Sequence, residues 1–237
     1  LYEAGRVVDV LRFSAIRALD DDSQVFPCDI TPHGRARRIY TTRQPLRLVS
    51  AITPFNHPMN QVAHKVAPAI AAGTPVLLKP SEKTPLSAYW LAQLALDCGL
   101  PPQALQVVNG PLEDVARVLV THDKVQMVTF TGSSRVGRAI AAQAGYKRLI
   151  LELGGSSPLL VLADADLDEA VDVALAGIFK NSGQRCTAIR RILVQKNQVE
   201  AFGQALAARV SSLRCGDPYD PDNDMGTVID EAADRRA

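Results

Sequence analysis

The sequence predicts an α/β protein built on a mostly parallel sheet, and three observations carry that prediction. From about Leu46 onward, short β-branched apolar runs alternate with longer stretches in helical spacing, the rhythm of strands joined by crossover helices. With 47% hydrophobic and 22% charged residues and a mean hydropathy near zero, the 237-residue chain can bury a core. The strand–helix rhythm then restarts after Gly154-Gly155, so two domains are expected, residues 1–154 and 155–237.

The first stretch, LYEAGRVVDVLRFSAIRAL, reads as the interior of a helix, with neither an initiating Met nor a signal peptide before it. Residues 46–53 and 75–79 read as strands, and residues 60–72 between them have the apolar spacing of a helix. A second helix is expected over 85–98, entered by Thr84 as N-cap with Pro85 at its first position and closed by Gly99. Strand 105–108, helix 112–121, strand 125–131, helix 134–144 and strand 148–153 complete the first run of βα units. Beyond Gly155 come strand 158–162, helix 167–179, strand 190–194 and helix 198–213. The closing CGDPYDPDNDMGTVIDEAADRRA is rich in Asp, Pro and Gly and is expected to lack a packed final element. The basic run His33 to Arg38 reads as a solvated strand edge.

Charge and cysteine usage exclude several classes. Twenty-six Lys and Arg against 25 Asp and Glu leave a net charge of +1, which gives no general pull toward nucleic acid or an anionic membrane. The apolar run 66–78 is broken by Pro68, Gly73 and Pro75, so no membrane-spanning segment is expected. Cys28, Cys98, Cys186 and Cys215 are scattered with no C-x-x-C pair, which argues against a zinc site or a dense disulfide framework and for a reducing cytoplasm.

Five segments carry candidate chemistry. The dinucleotide fingerprint G-x-G-x-x-G is absent; the nearest feature is Phe130-Thr131-Gly132-Ser133-Ser134-Arg135-Val136-Gly137, a glycine turn between a strand and a helix. Arg138-Ala139 stands where a P-loop needs Lys-Ser/Thr, so nucleotide hydrolysis is not expected. What remains is a helix N-terminus whose free N–H groups suit a pyrophosphate, although a bare turn has the same composition. Lys79-Pro80-Ser81-Glu82 follows a strand, where open α/β sheets place ligands, and its Lys and Glu offer ribose hydroxyls a donor and an acceptor; the alternative is a solvated loop.

In Asn181-Ser182-Gly183-Gln184-Arg185-Cys186-Thr187, the cation of Arg185 beside Cys186 favours a reactive thiolate, although a lone cysteine is more often inert. Glu152, between Leu151 and Leu153 before Gly154-Gly155, is expected to be a buried carboxylate, the setting of a general base. In Thr53-Pro54-Phe55-Asn56-His57-Pro58, two prolines stiffen the backbone around Asn56, whose amide can donate to an oxyanion, or simply satisfy its loop.

In this order, the five segments resemble the aldehyde dehydrogenase superfamily over nearly the whole chain. The resemblance implies that fold class, an aldehyde dehydrogenase-like variant of the Rossmann fold with the start of a second α/β catalytic domain. It implies catalytic roles for Cys186, Glu152 and Asn56, the first two 34 positions apart as is usual in the family. It puts Lys79 and Glu82 at the adenosine ribose of NAD, and Gly132 and Ser133 at the pyrophosphate. NAD is expected over NADP, the alternative, because Glu82 would repel a 2′-phosphate.

Within the family, P-F-N-H-P, N-S-G-Q-R-C-T-A and C-D-I-T-P-H-G-R-A-R-R resemble the branch that oxidises phosphonoacetaldehyde to phosphonoacetate. Arg185 and His57 would then read the phosphonate, with Arg6 as a third contact. The alternatives are other anionic or small hydroxy aldehydes: glyceraldehyde phosphate, lactaldehyde or a semialdehyde. Ser156 stands where Asn or Lys is commoner, with no interpretation. Family members run much longer than this chain, so the resemblance implies an internal piece of a homodimeric or homotetrameric enzyme, lacking the E-x-F-G-P glutamate of the nicotinamide ribose. Taken by itself, such a piece could be an inactive NAD-binding fragment. A cysteine acyltransferase independent of NAD is the remaining reading, disfavoured by the absence of a G-x-S-x-G elbow.

Overall fold

A computed structural model of the chain describes residues 2–20 and 22–234, the side chains of residues 112 and 113 excepted. The chain divides into two compact units, Leu1–Glu152 and Leu153–Ala237.

The first unit opens with α1 (Tyr2–Arg17), which buries Val7; residue 1, where the sequence reading begins this helix, lies outside the described residues. Two short strands the sequence did not suggest, β1 (Val25–Phe26) and β2 (Ile39–Tyr40), pair antiparallel. The basic run between them is not a strand edge. Pro32–Gly34 form a 3-10 turn, capped by the Thr31 hydroxyl accepting from the Gly34 N–H at 3.2 Å, with Pro32 fixing φ at its start. The arginines that follow are exposed, as expected of them.

The core of this unit is one parallel sheet of β3 (Val49–Ile52), β4 (Val76–Lys79), β5 (Leu105–Val107), β6 (Met127–Thr131) and β7 (Arg148–Glu152). Its order is β5-β4-β3-β6-β7, so the chain starts in the middle, builds outward to one edge, then crosses to the other side of β3. That reversal puts the topological switch point between β3 and β6, where open α/β sheets bind ligands beyond the carboxyl ends of their strands. Every residue of β3 is buried, as a strand covered on both faces requires. Around it Val49, Ala51, Val62, Val66, Val76, Leu78, Ala88, Ala92 and Leu105 form a continuous apolar core.

The crossovers are α2 (Asn60–Ala71), α3 (Leu86–Asp97), α4 (Leu112–Thr121) and α5 (Ser134–Gln143). Thr84 does not cap α3. Its hydroxyl donates instead to the Phe55 carbonyl at 3.3 Å, and the residue before the helix is Pro85. The Gly99 end is as expected: at φ +94° it lets its N–H reach the Leu96 carbonyl and the Leu100 N–H reach that of Ala95, closing the last turn.

In the second unit β8 (Ser157–Val161) and β9 (Ile189–Val194) pair in parallel, joined by α6 (Leu167–Phe179). The Asp166 carboxylate accepts from the Glu169 N–H at 2.9 Å and starts α6. α7 (Val199–Ser211) packs on α6, and Phe202 joins Val161, Val171 and Ala174 in a small core. The segment after α7 ends, as its composition suggests, without a packed final element, since the short helix that closes it buries no residue. It folds back so that the Gly216 N–H donates to the Met225 carbonyl, the Arg214 N–H donates to the Asp224 carboxylate at 2.8 Å, and a short α8 (Glu231–Asp234) follows. Polar loop residues bonding to their own backbone replace a hydrophobic element here. No described helix is long and apolar enough to cross a membrane.

Candidate active site

Parallel pairing sets the first unit's candidates along one sheet edge. The register aligns Ile52 of β3 with Lys79 on one side and Phe130 on the other, and Thr131 with Glu152. Asn56 therefore follows β3, Lys79 ends β4, Gly132 and Ser133 follow β6, and Glu152 ends β7. All lie at the carboxyl edge that the switch point defines.

Asn56 and His57 are half-buried in the turn between β3 and α2. Two contacts from the β4–α3 turn steady it: the Thr84 bond to the Phe55 carbonyl, and the Lys83 ammonium 5.9 Å from the centre of the Phe55 ring. From the other side, Glu3 of α1 accepts from the main-chain N–H groups of Met59 and Asn60, both at 2.8 Å. A carboxylate there satisfies otherwise open donors at the start of α2.

Lys79 donates to Glu82 at 2.7 Å; its side chain is 3% exposed whereas that of Glu82 is 50% exposed. A buried cation is thus paired with a carboxylate that still faces solvent, leaving a donor and an acceptor side by side for a vicinal diol. Ser133 caps α5, its hydroxyl accepting from the Val136 N–H at 3.3 Å. A Cβ on Gly132 would stand 2.4 Å from the Phe130 ring, so this turn stays bare backbone. Next to it, the Thr131 hydroxyl is buried without a partner. These residues fit a dinucleotide, with diphosphate at the α5 N-terminus and ribose at Lys79 and Glu82.

Glu152 is exposed, not buried as its apolar neighbours had suggested, because it is the last residue of an edge strand. Its environment comes instead from α2, where sequence reading saw only helix. Lys65 is 6% exposed, and its ammonium donates to the Thr129 hydroxyl at 3.1 Å. Burial pushes this amine down to about 8, opposed by the charge of Glu152. His64 beside it is held below its ordinary range, chiefly by burial and then by the positive charges of Arg6 and Lys65, with Glu152 pulling the other way. Arg6, His64, Lys65 and Glu152 thus share one electrostatic neighbourhood in which cations outnumber the carboxylate. The signal that could have found Lys65 was a Lys flanked by Val62, Ala63, Val66 and Ala67, all of them buried.

In the second unit Cys186 is exposed on a strained loop. Asn181 (φ 59°), Ser182 (φ 53°) and Gly183 (φ 69°) are three consecutive left-handed residues. The two that carry side chains cost about 1 kcal/mol or more each. The Arg185 guanidinium lies on the carbonyls of Ala176 and Gly177, both at 2.9 Å, with its Nε buried and unpartnered. It ties the loop to α6, a different use from the substrate contact expected of it. Gly155 lies so close that a Cβ there would be 2.1 Å from the Cys186 carbonyl oxygen. Among the described residues, no group of three or more His, Cys, Asp or Glu could hold a metal ion.

A parallel switch-point sheet with an ion-paired Lys and Glu and a capped glycine turn at its carboxyl edge defines an α/β protein of the Rossmann-like class. The chain belongs to the aldehyde dehydrogenase family, whose model matches residues 1–237. It is 42% identical over 216 residues to the mitochondrial succinate-semialdehyde dehydrogenase of Arabidopsis thaliana, covering 90% of this chain and 41% of that protein. The 3-sulfolactaldehyde dehydrogenase of Priestia aryabhattai is 40% identical over 227 residues, 96% of this chain and 48% of its own. Among solved structures, the glyceraldehyde-3-phosphate dehydrogenase GapN of Methanocaldococcus jannaschii, complexed with NADP, superposes with a TM-score of 0.91 at 36% identity, covering 99% of this chain and 51% of that one. The chain spans about half the length of these relatives. Family members have been crystallised with NAD or with NADP.

Proposed function

We propose that the protein oxidises an anionic aldehyde to its acid with NAD, through a covalent cysteine intermediate, and that phosphonoacetaldehyde is the substrate. The observation that carries the cofactor half is the alignment of Asn56, Lys79, Ser133 and Glu152 along one sheet edge. Residues 1–154 act as the NAD-binding domain and 155–237 as the start of the catalytic domain. Lys79 and Glu82 hold the adenosine ribose, and Gly132 with Ser133 the pyrophosphate. Bound nicotinamide supplies the hydride acceptor.

The chain's own residues do the rest. The Cys186 thiolate adds to the aldehyde carbon. The resulting oxyanion is stabilised by the Asn56 amide and the Cys186 N–H, each worth on the order of 3 kcal/mol. After oxidation to the thioester, Glu152 takes a proton from water, which attacks the acyl carbon and releases the acid and the thiolate. Lys65, whose amine burial lowers to about 8, remains largely protonated near neutral pH and keeps a positive charge in the neighbourhood of Glu152.

Support for an anionic substrate comes from Arg6 and His57, which resemble the phosphonate-reading pattern, and from the positive charges of Arg6 and Lys65, which add to burial in holding His64 below its ordinary range. A site where cations repel one another is one that an anion relieves. Arg185 enters this reading by shaping the Cys186 loop. The similarity to a sulfolactaldehyde dehydrogenase agrees with a tetrahedral anion, and that to a succinate-semialdehyde dehydrogenase favours a carboxylate as the second reading. A cytoplasmic homodimer or homotetramer is the proposed assembly.

The test is NADH formation by the intact protein from phosphonoacetaldehyde, sulfolactaldehyde, glyceraldehyde 3-phosphate and succinate semialdehyde. Highest kcat/KM on the phosphonate supports the substrate; highest on another anion corrects it, and no turnover with NAD bound in calorimetry supports a binding role alone.

A further inference from the structure

The loop that carries Cys186 is strained, and two of the bonds that hold it come from the Asp- and Pro-rich segment after α7. Ser182 donates through its hydroxyl to the Gly226 carbonyl at 2.8 Å, and Gln184 accepts through its side-chain oxygen from the Ile229 N–H at 2.8 Å. The Gln184 amide also donates to the Asn181 carbonyl at 3.3 Å, bracing the first left-handed residue. Residues 226–229 are in turn tied down, since Cys215 pairs with Met225 in a parallel bridge and the Cys215 thiol reaches the Gly226 carbonyl. The second unit thus places a strap, residues 215–229, against the loop at the middle of its left-handed turn and just after it.

We infer that Ser182 and Gln184 are positioning residues, and that the strap uses them to hold the Cys186 backbone in a conformation the loop would not keep alone. Non-glycine left-handed residues persist only where surrounding structure over-determines them, and here these two bonds act beside those of Arg185 to α6 and of the Arg190 guanidinium to the Gly183 carbonyl at 3.1 Å. Neither side chain touches the reacting atoms in this account. They act by fixing where the Cys186 N–H and thiol stand. The inference rests on the reading of Cys186 as nucleophile.

Ser182→Gly separates the clamp from the strain, because glycine adopts the left-handed turn freely but has no hydroxyl. Gln184→Met keeps length and removes both hydrogen-bonding atoms. In the intact protein each should lower kcat roughly five- to tenfold, the worth of one hydrogen bond, with KM for NAD within about twofold of wild type. The independent readout is the iodoacetamide alkylation rate of Cys186, resolved from that of Cys98 by peptide mass spectrometry. It should change by a similar factor at Cys186 and not at Cys98. Unchanged kcat and unchanged Cys186 alkylation in both variants overturn the inference, and so does an equal change at Cys98, which signals general loosening. If the wild type oxidises no aldehyde, the proposed function fails, while the alkylation rates still decide whether the strap positions this cysteine.

Discussion

Replacing Gly155 with alanine perturbs the backbone of the proposed nucleophile while leaving its side chain intact. The added Cβ would stand 2.1 Å from the Cys186 carbonyl oxygen and 3.2 Å from its carbonyl carbon. A carbon–oxygen contact relaxes at about 3.3 Å, so one of the two backbones must yield by about 1.2 Å. No flexible side chain absorbs the clash, because both contacted atoms are main chain. Displacing a reacting group by about 1 Å costs on the order of a hundredfold in rate, and overpacking of this kind costs about 1–3 kcal/mol in stability. The assay is steady-state NADH formation by the intact Gly155→Ala protein, run below its measured melting transition. A kcat within about twofold of wild type would refute the reasoning that Gly155 seats the Cys186 backbone.

Three further outcomes are expected. Lys79→Ala should raise KM for NAD about tenfold while kcat at saturating cofactor falls little, read by initial-rate kinetics, since it deletes the buried partner of Glu82 and the ribose donor of the proposed cofactor site. Leu78→Ala, at a fully buried position of β4, should destabilise the fold by about 2–5 kcal/mol in urea melts, with a lower midpoint and an unchanged slope. Lys65 gives a pH signature: its amine is lowered to about 8 from 10.5, so between those values the unfolded chain holds a proton that the folded chain has lost. Stability should therefore carry a penalty of a few kcal/mol below pH 8 that is relieved as pH rises from about 8 toward 10.5. Thermal melts of Lys65→Met should lack that rise; a rise equal to wild type would assign it to other groups.

Much of the architecture was legible because period and punctuation agreed. The apolar runs of β3, β4 and β6 are buried strands of a parallel sheet, and α4 and α6 begin and end where their spacing placed them. The misses have local physical causes. Thr84 looked like a cap, but its hydroxyl found the Phe55 carbonyl across the fold, a contact 29 positions away that no window contains. Glu152 looked buried from its neighbours, yet strand position rather than flanking residues decides exposure, and β7 lies at the sheet edge. The Asp- and Pro-rich segment after α7 ends without a packed element, as expected, but the backbone hydrogen bonds that order it leave no apolar periodicity to read. Lys65 and the left-handed pair Asn181 and Ser182 lay hidden for a related reason: burial of a single amine and the sign of φ leave little mark on composition.

The central claim is that Cys186 forms the covalent intermediate. It is tested most directly by mixing the intact Cys186→Ala protein with NAD and phosphonoacetaldehyde, or with the anionic aldehyde the wild type prefers. The account predicts that NADH formation falls by several orders of magnitude while NAD binding, measured by calorimetry, stays within about twofold of wild type. NADH formation at the wild-type rate would contradict it.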